Sequence, residues 1–212
     1  MSQHEHKGPG NHQHVPRHGD RHGARQPERF DPARAALLDD PARVEYLPPD
    51  RLIELLGAPA GARVVDFGAG TGTIAVELAR RRPDLEVVAL DEQPQMLNIL
   101  KAKPAARELR NLKAVLNDEM ELVASAERVL AINVLHELGD EALLDLAAML
   151  KPGGSALVVD WNSEVDRPVG PPRDHVYSAA EARRRLQTVG LRVSGGPPLK
   201  YHYVLVAAKP SD

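Results

Sequence analysis

From Arg63 onward, short aliphatic runs alternate with stretches in which apolar positions recur every three or four residues. The runs Arg63–Phe67, Glu86–Leu90, Leu112–Leu116, Val129–Val134 and Ser155–Trp161 read as buried strands. Thr73–Arg82, Gln95–Lys103, Asp140–Leu150 and Ala179–Val189 read as the helices that accompany them, the third closed by Lys151-Pro152-Gly153-Gly154 and the fourth by Gly190. Two last strands, Leu191–Ser194 and Tyr201–Ala207, are joined by Gly195-Gly196-Pro197-Pro198, a connection short enough for a hairpin that reverses the final strand. This alternation predicts an α/β fold: a doubly wound, mainly parallel, Rossmann-like sheet with helices on both faces and an antiparallel last strand.

Ahead of the sheet, Asp31 and Asp40 each stand before a proline, a common way to start a helix. They predict short amino-terminal helices over Pro32–Leu38 and Pro41–Leu47, and Pro48-Pro49-Asp50 opens a third, Arg51–Leu56, ended near Gly57. The expected organisation is a His-rich tail (1–28), a helical cap (29–60) and one ligand-binding domain (61–212). The tail is read as disordered, because its only aliphatic residues are Met1, Val15 and Ala24.

A hydrophobic content of 42% supports a core, and a net charge of −3 gives no reason to expect nucleic acid or an anionic membrane surface. The absence of cysteine excludes disulfides, thiolate metal sites and cysteine nucleophiles. No apolar run approaches the roughly 20 residues of a membrane span, and no signal-peptide pattern is seen, so a cytoplasmic location is expected. His4, His6, His12 and His14 suit loose metal chelation, but their spacing matches no closed site, and no catalytic metal is expected. Oligomeric state is open.

The most informative segment is Val64-Val65-Asp66-Phe67-Gly68-Ala69-Gly70-Thr71-Gly72, a strand running into a glycine loop and then a helix. In doubly wound folds ligands sit at that carboxyl edge. A pyrophosphate loop reads G-x-G-x-x-G, whereas here the spacing is G-x-G-x-G with Asp66 ahead of it. A carboxylate there repels a pyrophosphate and attracts a cation. S-adenosylmethionine carries an ammonium and a sulfonium, so the electrostatics favour it as cofactor. Asp91, about twenty residues further on at the end of the second strand, suits the ribose hydroxyls. Asn117, Asp118 and Glu119, after the third strand, are placed to hold an adenine amino group or to cap a helix. Ala69, Thr71, Gly72, Glu92, Met96 and Asn133 complete the expected cofactor-binding set.

On these residues the chain resembles the class I S-adenosylmethionine-dependent methyltransferases, in particular the ubiquinone/menaquinone-biosynthesis group. The matching pieces are VVDFGAGTG, the acidic end of VVALD, NVLHEL after the fourth strand and LKPGG before the fifth, within a span from about Arg63 to Lys209. The resemblance implies seven strands and places Asp66, Gly68, Gly70 and Asp91 at the cofactor. FDPARAALLDDPAR and GPPRDHVYSAAEA resemble a bacterial subgroup known only as methyltransferases, in which such segments wall the acceptor pocket. Glu127-Arg128 replaces the aromatic-Asp pair that usually opens the fourth strand, and the stretch before it is short. The lack of cysteine separates the chain from arsenite methyltransferases.

A sulfonium methyl is a ready electrophile, so alignment and water exclusion carry much of the rate, with a base needed where the acceptor loses a proton. His136, Asp160 and His175 are the candidate catalytic groups. Trp161 suits a pocket wall, Arg173 an anionic acceptor, and Tyr201, His202 and Tyr203 a structural role. The expected function is methyl transfer to a small-molecule acceptor. The alternatives are an NAD(P)-dependent oxidoreductase, disfavoured by the loop spacing, Asp66 and the lack of a Tyr-x-x-x-Lys pair, and a non-catalytic S-adenosylmethionine or metal binder.

Overall fold

The computed structural model describes residues 29–119 and 123–211, so the expectations for the His-rich tail lie outside the described residues. Seven strands form one sheet: β1 (Arg63–Phe67), β2 (Glu86–Asp91), β3 (Leu112–Leu116), β4 (Ala126–Ile132), β5 (Leu150–Trp161), β6 (Arg192–Gly195) and β7 (His202–Ala208). Their spatial order is β3-β2-β1-β4-β5-β7-β6. β1 to β5 are mutually parallel, and β7 runs antiparallel to both β5 and β6. The chain reverses direction of travel across the sheet between β1 and β4, which opens a crevice beyond the carboxyl ends of those strands.

β5 begins earlier than the sequence pattern suggests. Lys151-Pro152-Gly153-Gly154 is part of this strand rather than a helix stop, because Leu150 pairs with Ala126 across an irregularity in the β4 register. Helices α1 (Pro49–Leu56), α2 (Thr73–Arg81), α3 (Pro94–Ala102), α5 (Asp140–Met149) and α6 (Ala179–Thr188) match the expected positions, and α4 (Pro104–Glu108) is an additional turn and a half opened by Pro104.

The period-2 pattern of the strands sorts their side chains into two cores. Val65, Phe67, Val129, Val158 and Leu205 face α5 and α6, while Val64, Val87, Leu130, Val159 and Val204 share a core with Leu52 and Leu56 of α1 and Leu78 of α2. Residues 47–58 therefore cover one face.

The two amino-terminal helices are 3-10 rather than α, Pro32–Asp39 and Pro41–Glu45, each capped as expected by the side chain of Asp31 or Asp40. Burying only Ala35 between them, they are held by side-chain bonds to the carboxyl edge of the sheet and form a strap across it. Asp39 Oδ1 accepts from Thr71 Oγ1 (2.7 Å) and Lys103 Nζ (2.6 Å) and also from the Thr73 hydroxyl. Gln93 Nε2 donates to the Phe30 carbonyl at 3.1 Å.

Candidate active site

The bend after β1 is built from glycines at positive φ: Gly68 at 70°, Gly70 at 57° and Gly72 at 74°. Gly72 is also required by space, since a Cβ there would stand 1.7 Å from Leu100 Cδ1. The loop is pinned to β2 by the Gly68 and Ala69 amides, which donate to the Leu90 carbonyl at 2.9 and 3.0 Å. It is pinned again by the Gly70 amide, which donates to Asp91 Oδ2 at 2.7 Å. The other Asp91 oxygen accepts from the Gln93 amide at 2.9 Å. Each carboxylate oxygen retains a lone pair, so Asp91 keeps capacity for hydroxyl donors.

Asp66 is 3% exposed and Asp91 7%. Among the described residues, no lysine or arginine forms an ion pair with either. Burial, and then the charge of Asp91, push the Asp66 carboxyl up to about 7. Burial raises Asp91 as well, against the amides that bond it. Two buried carboxylates without a cation form a site that a positive ligand would complete.

A second cluster lies at the ends of β4 and β5. Asp160 is fully buried and accepts from three donors: the His136 amide at 3.0 Å, the Trp161 amide at 2.7 Å, and His136 Nδ1 at 2.8 Å. A carboxylate on Nδ1 makes that nitrogen the N–H and leaves the lone pair on Nε2. Burial works to depress the His136 pKa, but Asp160 by charge and hydrogen bond, and then Glu137, outweigh it and the net shift is upward. Glu137 Oε1 lies 3.6 Å from His136 Nε2, and its other oxygen accepts from the Phe30 amide at 3.0 Å. Burial pushes Glu137 up to about 7.

Beside this dyad, Tyr46 from the strap packs on Trp161, Tyr201 and His202, with ring centroids 5.6 to 5.9 Å apart. Trp161 and His202 lie at 4.2 Å. Arg167 stands over the indole at 5.3 Å. His202 is 1% exposed, and burial lowers its pKa to about 3, so it is neutral.

Seven buried side-chain polar atoms have no partner among the described residues. Six of them sit at the carboxyl edge: Asn117 Oδ1, Asn133 Oδ1, Arg167 Nε, both ring nitrogens of His202, and Tyr203 Oη. Buried polar atoms are normally satisfied, so their concentration at one edge marks it as a place for ligands. Asn133 also carries a left-handed backbone, φ 55°.

Not every expected residue meets the others. Asp118 and Glu119 are exposed, leaving Asn117 as the inward-facing group after β3. The Thr71 hydroxyl is engaged by Asp39, and Glu92 pairs with Arg29 at 2.7 Å. Met96 is buried on the first turn of α3. His175 is exposed on the 3-10 turn Arg173–His175, and Arg173 is neutralised by Asp166. Sequence reading missed Glu137, Tyr46, Arg43 and Arg167. Only Glu137 had a local signal, its place next to His136.

Known proteins point the same way. The family model described as a methyltransferase domain matches residues 64–154. Over that stretch the chain is similar to S-adenosylmethionine-dependent methyltransferases. It is 36% identical over 124 residues to an uncharacterized methyltransferase of Mycobacterium tuberculosis, covering 57% of this chain and 47% of that protein. It is 31% identical over 104 residues to a demethylmenaquinone methyltransferase of Deinococcus radiodurans, covering 47% of this chain and 43% of that one. The chain thus spans about half the length of the curated relatives it matches. A solved S-adenosylmethionine-dependent methyltransferase from Aquifex aeolicus superimposes with a TM-score of 0.78 at 28% identity, over 85% of this chain and 99% of that chain.

Proposed function

We propose that this chain is an enzyme that transfers a methyl group from S-adenosylmethionine to a small-molecule acceptor at the carboxyl edge of its sheet. The observation that carries the reading is the pair of buried, cation-free carboxylates, Asp66 and Asp91, on either side of the glycine loop. A nucleoside that carries an ammonium, a sulfonium and ribose hydroxyls satisfies them, and a dinucleotide pyrophosphate would be repelled.

In this reading Asp66 attracts the ammonium, Asp91 accepts the ribose hydroxyls, and Asn117 Oδ1 accepts from the adenine amino group. Gly68, Ala69 and Gly70 let the ligand approach the backbone, with Met96 and Asn133 beside it. Bound there, the cofactor supplies a methyl group on a sulfonium, an electrophile that needs no further activation. His136 Nε2 takes the acceptor's proton, and Asp160 holds the ring in the tautomer that exposes that lone pair. Asp160 and Glu137 both favour the imidazolium that results. The strap and the segment after β5 exclude water.

Calorimetry and a labelled-methyl assay test the proposal together. S-adenosylmethionine should bind while NADPH does not, and labelled methyl should pass into a component of a metabolite extract. His136→Ala should abolish transfer while leaving cofactor affinity within a few fold. Absence of S-adenosylmethionine binding by the purified full chain overturns the reading.

A further inference from the structure

The aromatic cluster beside the dyad has a composition that a purely structural cluster does not require. The chain holds one Trp and four Tyr, and the segments around residues 46, 161 and 201 bring the Trp and two of these tyrosines into one stack with His202. Two guanidiniums flank it. Arg43 bonds the Leu38 carbonyl, at 2.5 Å, and Tyr46. Arg167 bonds the Pro171 carbonyl, also at 2.5 Å, and leaves a buried Nε without an acceptor. Neither forms an ion pair among the described residues, in contrast to Arg173, which Asp166 neutralises. Arg167 stands over the Trp161 ring that packs on His202, and Arg43 bonds Tyr46, which packs on the same two rings, so both guanidiniums border one cluster. Both nitrogens of His202 are themselves unpartnered.

We infer that this cluster seats the methyl acceptor and that the acceptor is a planar conjugated carboxylate. Tyr46 and Tyr201, both only partly buried, offer flat faces to a conjugated body, and buried Trp161 packs behind them. A guanidinium fork matches a carboxylate in plane and charge, and Arg167 has an N–H free for it. Neutral His202 adds one further donor. A cationic acceptor is repelled by both arginines, and a neutral one can accept from the Arg167 N–H but leaves both guanidiniums without a counter-charge. The seat adjoins His136 through Asp160, which bonds both the His136 ring and the Trp161 amide, while Trp161 pairs with His202 across β5 and β7.

This inference rests on the methyltransferase reading, and the test keeps the two apart. Trp161 is the only tryptophan, so its fluorescence reports on the seat directly. With the cofactor site saturated by S-adenosylhomocysteine, as checked by calorimetry, three matched pairs are titrated: benzoate and benzamide, 4-hydroxybenzoate and 4-hydroxybenzamide, fumarate and fumaramide. At least one carboxylate should quench Trp161 saturably and bind at least tenfold tighter than its amide. Arg167→Met should remove that preference, and Arg167→Lys should keep part of it. Arg43→Met should weaken the carboxylate, and both methionine variants should hold S-adenosylhomocysteine within twofold of the wild type, which shows that they fold. If no carboxylate exceeds its amide, or if the preference survives in Arg167→Met, the acceptor class is wrong. If S-adenosylhomocysteine itself fails to bind, it is the cofactor reading that falls.

Discussion

At the scale of single residues, the strongest constraints are buried charges whose partners come from far along the chain. Asp160 satisfies three donors from the fully buried end of β5. Asp160→Asn turns one carboxylate oxygen into a donor facing donors, which should cost about 1–3 kcal/mol in chemical denaturation. It should also lower the His136 pKa, read by NMR titration, because the carboxylate that raises it is gone. Methyl transfer should fall by roughly 10²–10⁴-fold, the usual worth of a positioned base. An unchanged His136 titration would disconnect the pair. Gly72 is constrained by space and backbone together, at φ 74° and against Leu100. Gly72→Ala should destabilise by about 2–4 kcal/mol from overpacking plus left-handed strain. The glycine spacing and Asp66 were legible because their reasons are local. Arg167 and Tyr46 were not, because nothing in their neighbouring residues tells that they meet Trp161.

At the scale of elements, the strap over residues 29–47 joins the amino-terminal layer to the loops after β1, β2 and β4. Its latch is the Asp39 carboxylate, which gathers Thr71, Thr73 and Lys103. Asp39 is partly exposed, so Asp39→Ala should cost under about 1 kcal/mol of global stability. Its larger effect should be local: faster hydrogen exchange in residues 30–43 and faster cofactor association and dissociation in stopped-flow fluorescence. If exchange and rates match the wild type, Asp39 is not the latch. Composition alone identified the caps of these turns, Asp31 and Asp40, but not that they are 3-10 turns laid over the glycine loop. The early start of β5 escaped the pattern for a related reason. Pro-Gly-Gly reads as a break locally, and only pairing with β4 and β7 draws it into the sheet.

At the scale of the whole molecule, three titrating groups at the carboxyl edge act in one direction and outnumber buried His202, whose pKa, lowered to about 3, acts in the other below pH 6.5. Asp66 and Glu137 are raised to about 7 and His136 is raised too. For each, the folded state binds more protons than the unfolded state between the ordinary and the raised value, so stability falls as pH rises through that window. The denaturation midpoint should therefore be higher at pH 5.5 than at pH 8. Asp66→Asn, which still accepts a backbone bond, should recover about 2–4 kcal/mol at pH 8 while weakening S-adenosylmethionine at least tenfold. Cofactor affinity of the wild type should rise with pH through 7, as Asp66 ionises. A flat stability profile over that range would contradict the buried state of these carboxylates.

Sequence alone determined the sheet, its reversed last strand, the glycine loop and the acidic ends of β1 and β2. All of these follow from periodicities of two and about 3.6 residues and from turn chemistry acting over a few neighbours. Only the tertiary structure decided which side chains share the carboxyl edge. It joined His136 to Asp160, turned Asn117 inward in place of Asp118, and gathered Tyr46, Trp161 and Arg167 from three distant segments. Such meetings depend on crossover geometry and register, and no local stretch of chain encodes them by itself.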